Sequence, residues 1–256
     1  MVKGLYSAYM GLLNQQNKMD VLTNNLANSA TTGYKKEGTT AQSFGDVLAY
    51  KVNDLTEGYG GKKLGTMSMG VKIGENYTDY TQGSLKATGN DFDLALTDEG
   101  FFSISFTNKA GETTTKYSRD GAFTLNKEGY LVTKDGDFVL GTNGRIQLNT
   151  NAKITIDDNG NIFQDDVQAG KLALTKFTDN NYLEKYGENL YQTVDGATQA
   201  AYEGSVKQGF LEASNVSVVQ EMVNLITVTR AYESSQKVMQ TIDSTIDKAV
   251  NNVGRV

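Results

Sequence analysis

Residues 101–148 read FFSISFTNKAGETTTKYSRDGAFTLNKEGYLVTKDGDFVLGTNGRIQL, and this stretch decides the fold. Short runs rich in Phe, Tyr, Val, Ile and Thr alternate with Asp120-Gly121, Glu128-Gly129, Asp135-Gly136 and Asn143-Gly144. An Asp-Gly or Asn-Gly pair between such runs marks a tight hairpin, because a type I′ turn needs positive φ at both central residues. The pattern continues through Ile154 to Ile156, Asn161 to Gln164 and Lys171 to Phe177, with Asn159-Gly160 between the first two. Strands about ten residues apart predict an antiparallel all-β domain over 76–210.

On both flanks the period changes. In residues 3–28, Leu5, Ala8, Leu12, Gln15, Met19, Leu22 and Leu26 alternate spacings of three and four, the a/d pattern of a helix of about 40 Å. Gly4, Ala8 and Gly11 form a second, small-residue face that suits the close approach of another helix. The helix is expected to end near Asn28, before the turn residues Thr31-Thr32-Gly33. Residues 215–252 predict a second helix, with Val219, Met222, Val223 and Ile226 in one apolar stretch and Val238, Met239, Ile242 and Ile246 in another. Ser214 or Asn215 would cap it, or Ser217 in a capping box with Gln220. Residues 30–75 have little periodicity and many glycines, and predict an extended connector with room for a short strand or hairpin.

The expected fold class is therefore α+β. N- and C-terminal helices form an antiparallel coiled coil, with an intervening all-β domain and a Gly-rich extended connector. The expected divisions are an N-terminal helix in 1–29, the connector in 30–75, the β domain in 76–210 and a C-terminal helix in 211–256. Leu5, Leu12, Met19, Leu26, Met222, Ile226, Val238 and Ile242 are assigned to the coiled-coil seam. Two narrow seams hide little apolar area, so helices from neighbouring subunits are expected to complete the burial.

Composition narrows the function. The 256 residues carry 24 basic and 30 acidic side chains, a net charge of −6, and no Cys, His or Pro. Without Cys or His there is no thiol nucleophile, thiolate zinc site, Ser-His-Asp triad or imidazole acid–base pair. Net acidity argues against nucleic-acid binding. No apolar run reaches the ~18 residues of a membrane span, and Met1 to Asp20 lacks the pattern of a cleaved signal peptide. By those rules alone the chain would be cytoplasmic.

Individual motifs fail as chemistry. Gly58-Tyr59-Gly60-Gly61-Lys62-Lys63 matches neither phosphate-loop pattern. Asp157-Asp158-Asn159-Gly160-Asn161 and Asp165-Asp166 lack the glycine spacing, flanking helices and terminal Glu of a calcium loop. Asp91 and Asp93 share a strand face without forming a cleft. No catalytic, cofactor or metal residues are assigned.

Three stretches together resemble the flagellar hook–basal-body rod proteins. The first is Asp20-Val21-Leu22-Thr23-Asn24-Asn25-Leu26-Ala27-Asn28 followed by Thr31-Thr32-Gly33-Tyr34-Lys35. The second runs from Gln82-Gly83-Ser84-Leu85 through Gly100-Phe101-Phe102 to Tyr117-Ser118-Arg119-Asp120-Gly121-Ala122-Phe123. The third is Gly209-Phe210-Leu211-Glu212-Ala213-Ser214-Asn215-Val216, with Glu221-Met222-Val223 and Arg230-Ala231-Tyr232-Glu233 after it.

The resemblance implies a non-enzymatic axial subunit with no cofactor. Such subunits stack helically with other rod and hook proteins, transmit motor torque to the hook and support motility. It also implies export through the flagellar type III apparatus without a cleaved signal, which replaces the cytoplasmic expectation with a periplasmic rod. The Arg230 block and the length lean toward the distal rod, with the proximal rod as the alternative. Asn24, Asn25 and Asn28 are candidates for hydrogen bonds between subunits. Thr32 and Asp91 stand where the family usually has Pro, so those turns are expected to be less rigid. A free chain would have disordered ends around a folded 76–210 core. The competing classes are a β-rich extracellular adhesin or glycan-binding module and a hydrolase using paired acids.

Overall fold

The computed structural model describes residues 2–45, 47–51, 62–67, 70–109, 111–149, 152–187 and 189–253. By packing, the chain forms two units. One comprises Met1–Leu26, Glu37–Tyr77 and Val218–Val256; the other comprises Ala27–Lys36 and Thr78–Ser217.

The second unit is the β domain. Its central strand, Phe101–Thr107, pairs antiparallel with Thr113–Ser118, Phe138–Gly141 and Leu174–Phe177. Successive side chains of a strand face opposite ways, and this strand has a core on each side. Phe102 packs with Leu94, Phe123, Leu131, Val139, Ile162 and Leu172. Phe101 packs with Tyr117, Phe177, Leu183 and Tyr191. Phe102 meets Phe123 edge-on at 5.1 Å, and Tyr117 meets Phe177 edge-on at 4.9 Å. The last strands close on early ones: Val206–Gln208 pairs with Leu94–Leu96, and Phe210–Glu212 with Leu85–Ala87.

Several of the Gly turns join paired strands, and one does not. Asp135-Gly136 joins strands paired at Val132 and Phe138, with Gly136 at φ 93°. Asp120-Gly121 is no hairpin, because the strand after it, Thr124–Leu125, pairs with Leu131–Val132 instead of Thr113–Ser118. Gly121 is needed there for close packing, since a Cβ would overlap the Leu94 carbonyl oxygen. A tight turn with both central residues at positive φ lies where no glycine announces it. Asp165 and Asp166, at φ 47° and 66°, connect Gln164 to Val167. Asp and Asn tolerate this region better than other residues with a Cβ. Asp165 Oδ1 accepts from Lys153 N at 3.2 Å, so this acidic pair is a turn. Among the described residues no acidic group has a metal-holding arrangement.

The first unit contains helices α1, Val2–Ala27, and α2, Val218–Lys248. Both helices thus stand where the apolar periodicity predicted them. A Cβ built on Gly4 would sit 3.6 Å from Ile242 Cδ1, and one on Gly11 would sit 3.9 Å from Ser235 Oγ. Residue number rises along α1 as it falls along α2, so the two run antiparallel where they meet. The small-residue face expected to admit a second helix therefore admits α2.

The segment expected to be a connector holds short paired strands. Within it, Glu37–Ser43 pairs with Val71–Thr78, and Val47–Lys51 with Lys62–Met67. The strand Glu37–Ser43 is exposed over its second half and carries no clean alternation, so the sequence marks it only weakly. Gly58 to Gly61 of the rejected phosphate motif lie outside the described residues. No helix among the described residues is long and apolar enough to cross a membrane.

Two substitutions test this packing by urea unfolding. Phe102→Ala should cost about 3–5 kcal/mol through the cavity it leaves between strands. Gly121→Ala should cost at least about 1–3 kcal/mol, because the Leu94 backbone cannot move aside as a side chain would. A loss below 1 kcal/mol in either would contradict the packing described.

Candidate functional site

Residues 31–36 leave α1 and enter the β unit as a buried strap. Gly33, at φ 68°, runs so close to the Arg119–Asp120 peptide that any Cβ would collide with it. The Gly33 amide donates to Glu212 O at 2.8 Å, and Tyr34 and Lys35 are each 1 % exposed. Thr32 Oγ1 donates to Asp120 Oδ1 at 2.7 Å, and Asn189 Nδ2 reaches both Thr32 O and Asp120 Oδ2. The hydroxyl at Thr32 therefore tethers a turn that was expected to be looser for want of a proline.

Under the strap lies an ionic cluster. Lys35 Nζ is 2.6 Å from Glu212 Oε1, and Arg119 Nη1 is 3.2 Å from Glu212 Oε2, with all three side chains essentially inaccessible. Glu212 Oε1 also accepts from Gly83 N at 2.9 Å, and Lys35 also donates to Thr81 O at 2.8 Å. The Arg119 guanidinium lies 5.5 Å from the Phe101 ring centroid. Charged side chains are rarely buried unless paired. Burial holds the Lys35 ammonium below its ordinary pKa, Glu212 opposes that shift, and Arg119 adds to it.

A second polar knot lies alongside. Asn215 Oδ1 accepts from Lys36 N at 2.8 Å, and its Nδ2 donates to Asp79 O at 2.8 Å and to Thr81. This commits the Asn215 amide to the β unit, so it is not the cap of α2. The helix begins one residue after Ser217, and Gln220 bonds forward to Asn224 at 3.2 Å instead of back to a cap.

The residues assigned to assembly fall into three groups. Leu5, Leu12, Met19 and Leu26 are half-buried on α1, and Ile242 is half-buried on α2. Met222, Ile226 and Val238 are exposed, at 48 %, 54 % and 48 %. The face of α2 that the chain itself covers is instead Glu221, Leu225, Val228, Tyr232, Ser235, Met239, Ile242 and Ile246. Its spacings of four and three are regular, but polar members at Glu221 and Ser235 hide it behind the purely apolar run nearby. Asn25 is a correction: it is fully buried, with Nδ2 donating to Glu37 O at 2.8 Å and Oδ1 accepting from Glu37 N at 2.9 Å. It holds its own chain's strand and is not a surface contact. Asn28 accepts from Thr31 Oγ1 at 3.2 Å, and Asn24 is exposed.

Comparison with known proteins gives the cluster a context. Residues 5–35 match the family described as flagella basal body rod protein. Residues 95–164 match the flagellar hook protein FlgE/F/G D1 domain, and residues 207–252 the flagellar basal body rod FlgEFG protein C-terminal. Each matched stretch supplies one charge of the cluster: Lys35, Arg119 and Glu212. The chain is similar to the flagellar basal-body rod protein FlgF of Caulobacter vibrioides, at 34 % identity over 97 % of this chain and 98 % of that one. It is 35 % identical to the flagellar basal-body rod protein FlgG of Agrobacterium fabrum, over 94 % of this chain and 96 % of the relative. With the flagellar hook-basal body complex protein FlhO of Bacillus subtilis it shares 31 % identity over the full length of both.

Charge balance makes the cluster asymmetric. Glu212→Ala leaves two buried cations and should cost about 3–5 kcal/mol in denaturant unfolding. Lys35→Met leaves the Arg119–Glu212 pair intact and should cost clearly less; equal losses would refute this balance. Because the folded-state pKa of Lys35 is depressed, the unfolded chain binds more protons between that value and 10.5. Stability should therefore rise with pH across that window, and Lys35→Met should remove the rise. Burial raises the Tyr117 pKa above 10.0, which acts the opposite way above pH 10. Both chains are therefore best compared with Tyr117→Phe in place.

Proposed function

Because the chain belongs to the flagellar basal-body rod protein family, we propose that it is an axial subunit whose exposed α2 stripe packs against other subunits. As a member of that family it is a structural component of the flagellar basal-body rod, not an enzyme, and it assembles with other flagellar axial proteins. The observation that carries the finer reading is the stripe itself. Val219, Met222, Val223 and Ile226 follow the i, i+3, i+4, i+7 pattern of one helix face and are 73 %, 48 %, 53 % and 54 % exposed. An uncovered apolar stripe of this kind marks an interaction site.

In this reading α1 and α2 form an antiparallel coiled coil, which the approaches at Gly4 and Gly11 support. Leu5, Leu12, Met19, Leu26 and Ile242 serve it within the chain, and Met222, Ile226 and Val238 serve contacts with neighbours, joined by Asn24. Repeating one non-self-complementary contact gives an open helical polymer. That polymer transmits torque to the hook, and its subunits reach it through the flagellar type III export apparatus without a cleaved signal. The Arg230-Ala231-Tyr232-Glu233 block favours the distal rod, with the proximal rod as the alternative. Relatives named FlgF and FlgG match at similar identity.

Deleting the chromosomal copy and imaging purified basal bodies tests the role: rods should be truncated or absent and motility lost. Normal rods would defeat the assignment. Ile226→Asp tests the stripe. It should leave the monomer's unfolding free energy within about 0.5 kcal/mol, as surface changes do, yet fail to complement the deletion. Full complementation would show that the stripe is not an interface.

A further inference from the structure

We propose that Glu212 is a closure lock for the β unit, which completes its fold only when the strap 31–36 and the segment 206–215 meet over Arg119. Glu212 joins parts of the chain that are far apart. Its contacts with Lys35, Gly83 and Arg119 span 177, 129 and 93 residues. Its carbonyl holds Gly33, and its strand pairs with Leu85–Ala87. Three residues on, Asn215 repeats the arrangement, holding Lys36 and Asp79 from spans of 179 and 136 residues.

The order along the chain gives the lock a direction. Lys35 and Arg119 both precede Glu212. Burying them before it arrives would place two cations out of water with no carboxylate between them, which is strongly unfavourable. The strap therefore cannot settle over Arg119 early. The strands Leu85–Ala87 and Leu94–Leu96 likewise lack their paired strands until residues 206–212 return. The hairpin Phe101–Thr107 with Thr113–Ser118 has no such requirement, because its pairing is local. A chain moving N-terminus first thus carries an open β unit until residues 206–215, inside its last quarter, have arrived. This inference rests on contacts within one chain and does not depend on the rod reading.

Pulse-labelling hydrogen exchange during refolding of the full chain tests it. The amides of Gly33, Thr97 and Gly209 and of strands Leu85–Ala87 and Phe210–Glu212 should gain protection together, in the last phase, after Phe101–Thr107. Early or separate protection of Gly33 or of Phe210–Glu212 would overturn the proposal. A second arm tests the charge basis with the triple variant Lys35→Met, Arg119→Met, Glu212→Leu. Apolar replacement of a whole buried ionic cluster is commonly tolerated and can speed folding. The closure phase should accelerate by about tenfold or more, since no charge must then leave water. An unchanged rate would show that the charges do not set the timing. If the triple variant does not fold, the order of protection in the natural chain decides the matter.

Discussion

Glu212 is the point on which the β unit depends. Its carboxylate takes Lys35 and Gly83 on one oxygen and Arg119 on the other, and its carbonyl takes Gly33. A carboxylate with this many donors can be buried because they replace its water. Two cations can be buried because it stands between them. Remove the arrangement and neither the strap nor the Arg119 side chain has a reason to leave solvent. The two aromatic and aliphatic cores on either side of Phe101–Thr107 supply the hydrophobic burial. The ionic cluster decides which distant segments close over them.

The first unit works on another principle. Its two helices meet at small residues, Gly4 opposite Ile242 and Gly11 near Ser235. It leaves the Val219 to Ile226 stripe uncovered. One part of the chain therefore completes its burial internally, and the other leaves apolar surface exposed. This fits a rod subunit, whose polymer needs adhesive surface on a fold that does not itself unravel. Hydrophobic residues make up 38 % of the chain, and some of them lie exposed on α2.

Local signals were legible where a short-range rule governs them. The strands at Ile154–Ile156 and Asn161–Gln164 stand where their residues predicted them, as do the helices at both ends. Misreadings came where a residue's role depends on something distant. Asp120-Gly121 has the composition of a hairpin turn, but Gly121 is there to admit the Leu94 carbonyl. Asn25 looked like a surface donor and holds Glu37. Of the covered face of α2 only the Met239 to Ile246 part was legible, because its first half tolerates Glu221 and Ser235 while the more apolar stripe beside it faces out.

The amino-acid sequence by itself determined the class of the protein. Missing Cys and His removed most catalytic chemistry, the period changes set helices around a β domain, and three ordered signatures identified the family. It could not determine that Lys35, Arg119 and Glu212 are one object. Each is an ordinary charged residue within its own signature, and nothing local distinguishes a solvated lysine from a buried one. Only the tertiary structure brings them within hydrogen-bond reach, because burial and pairing are properties of segments some 90 to 180 residues apart. The same reason moved residues 31–36 from the connector into the β unit: their local composition is that of a turn, and their partners are at the other end of the chain.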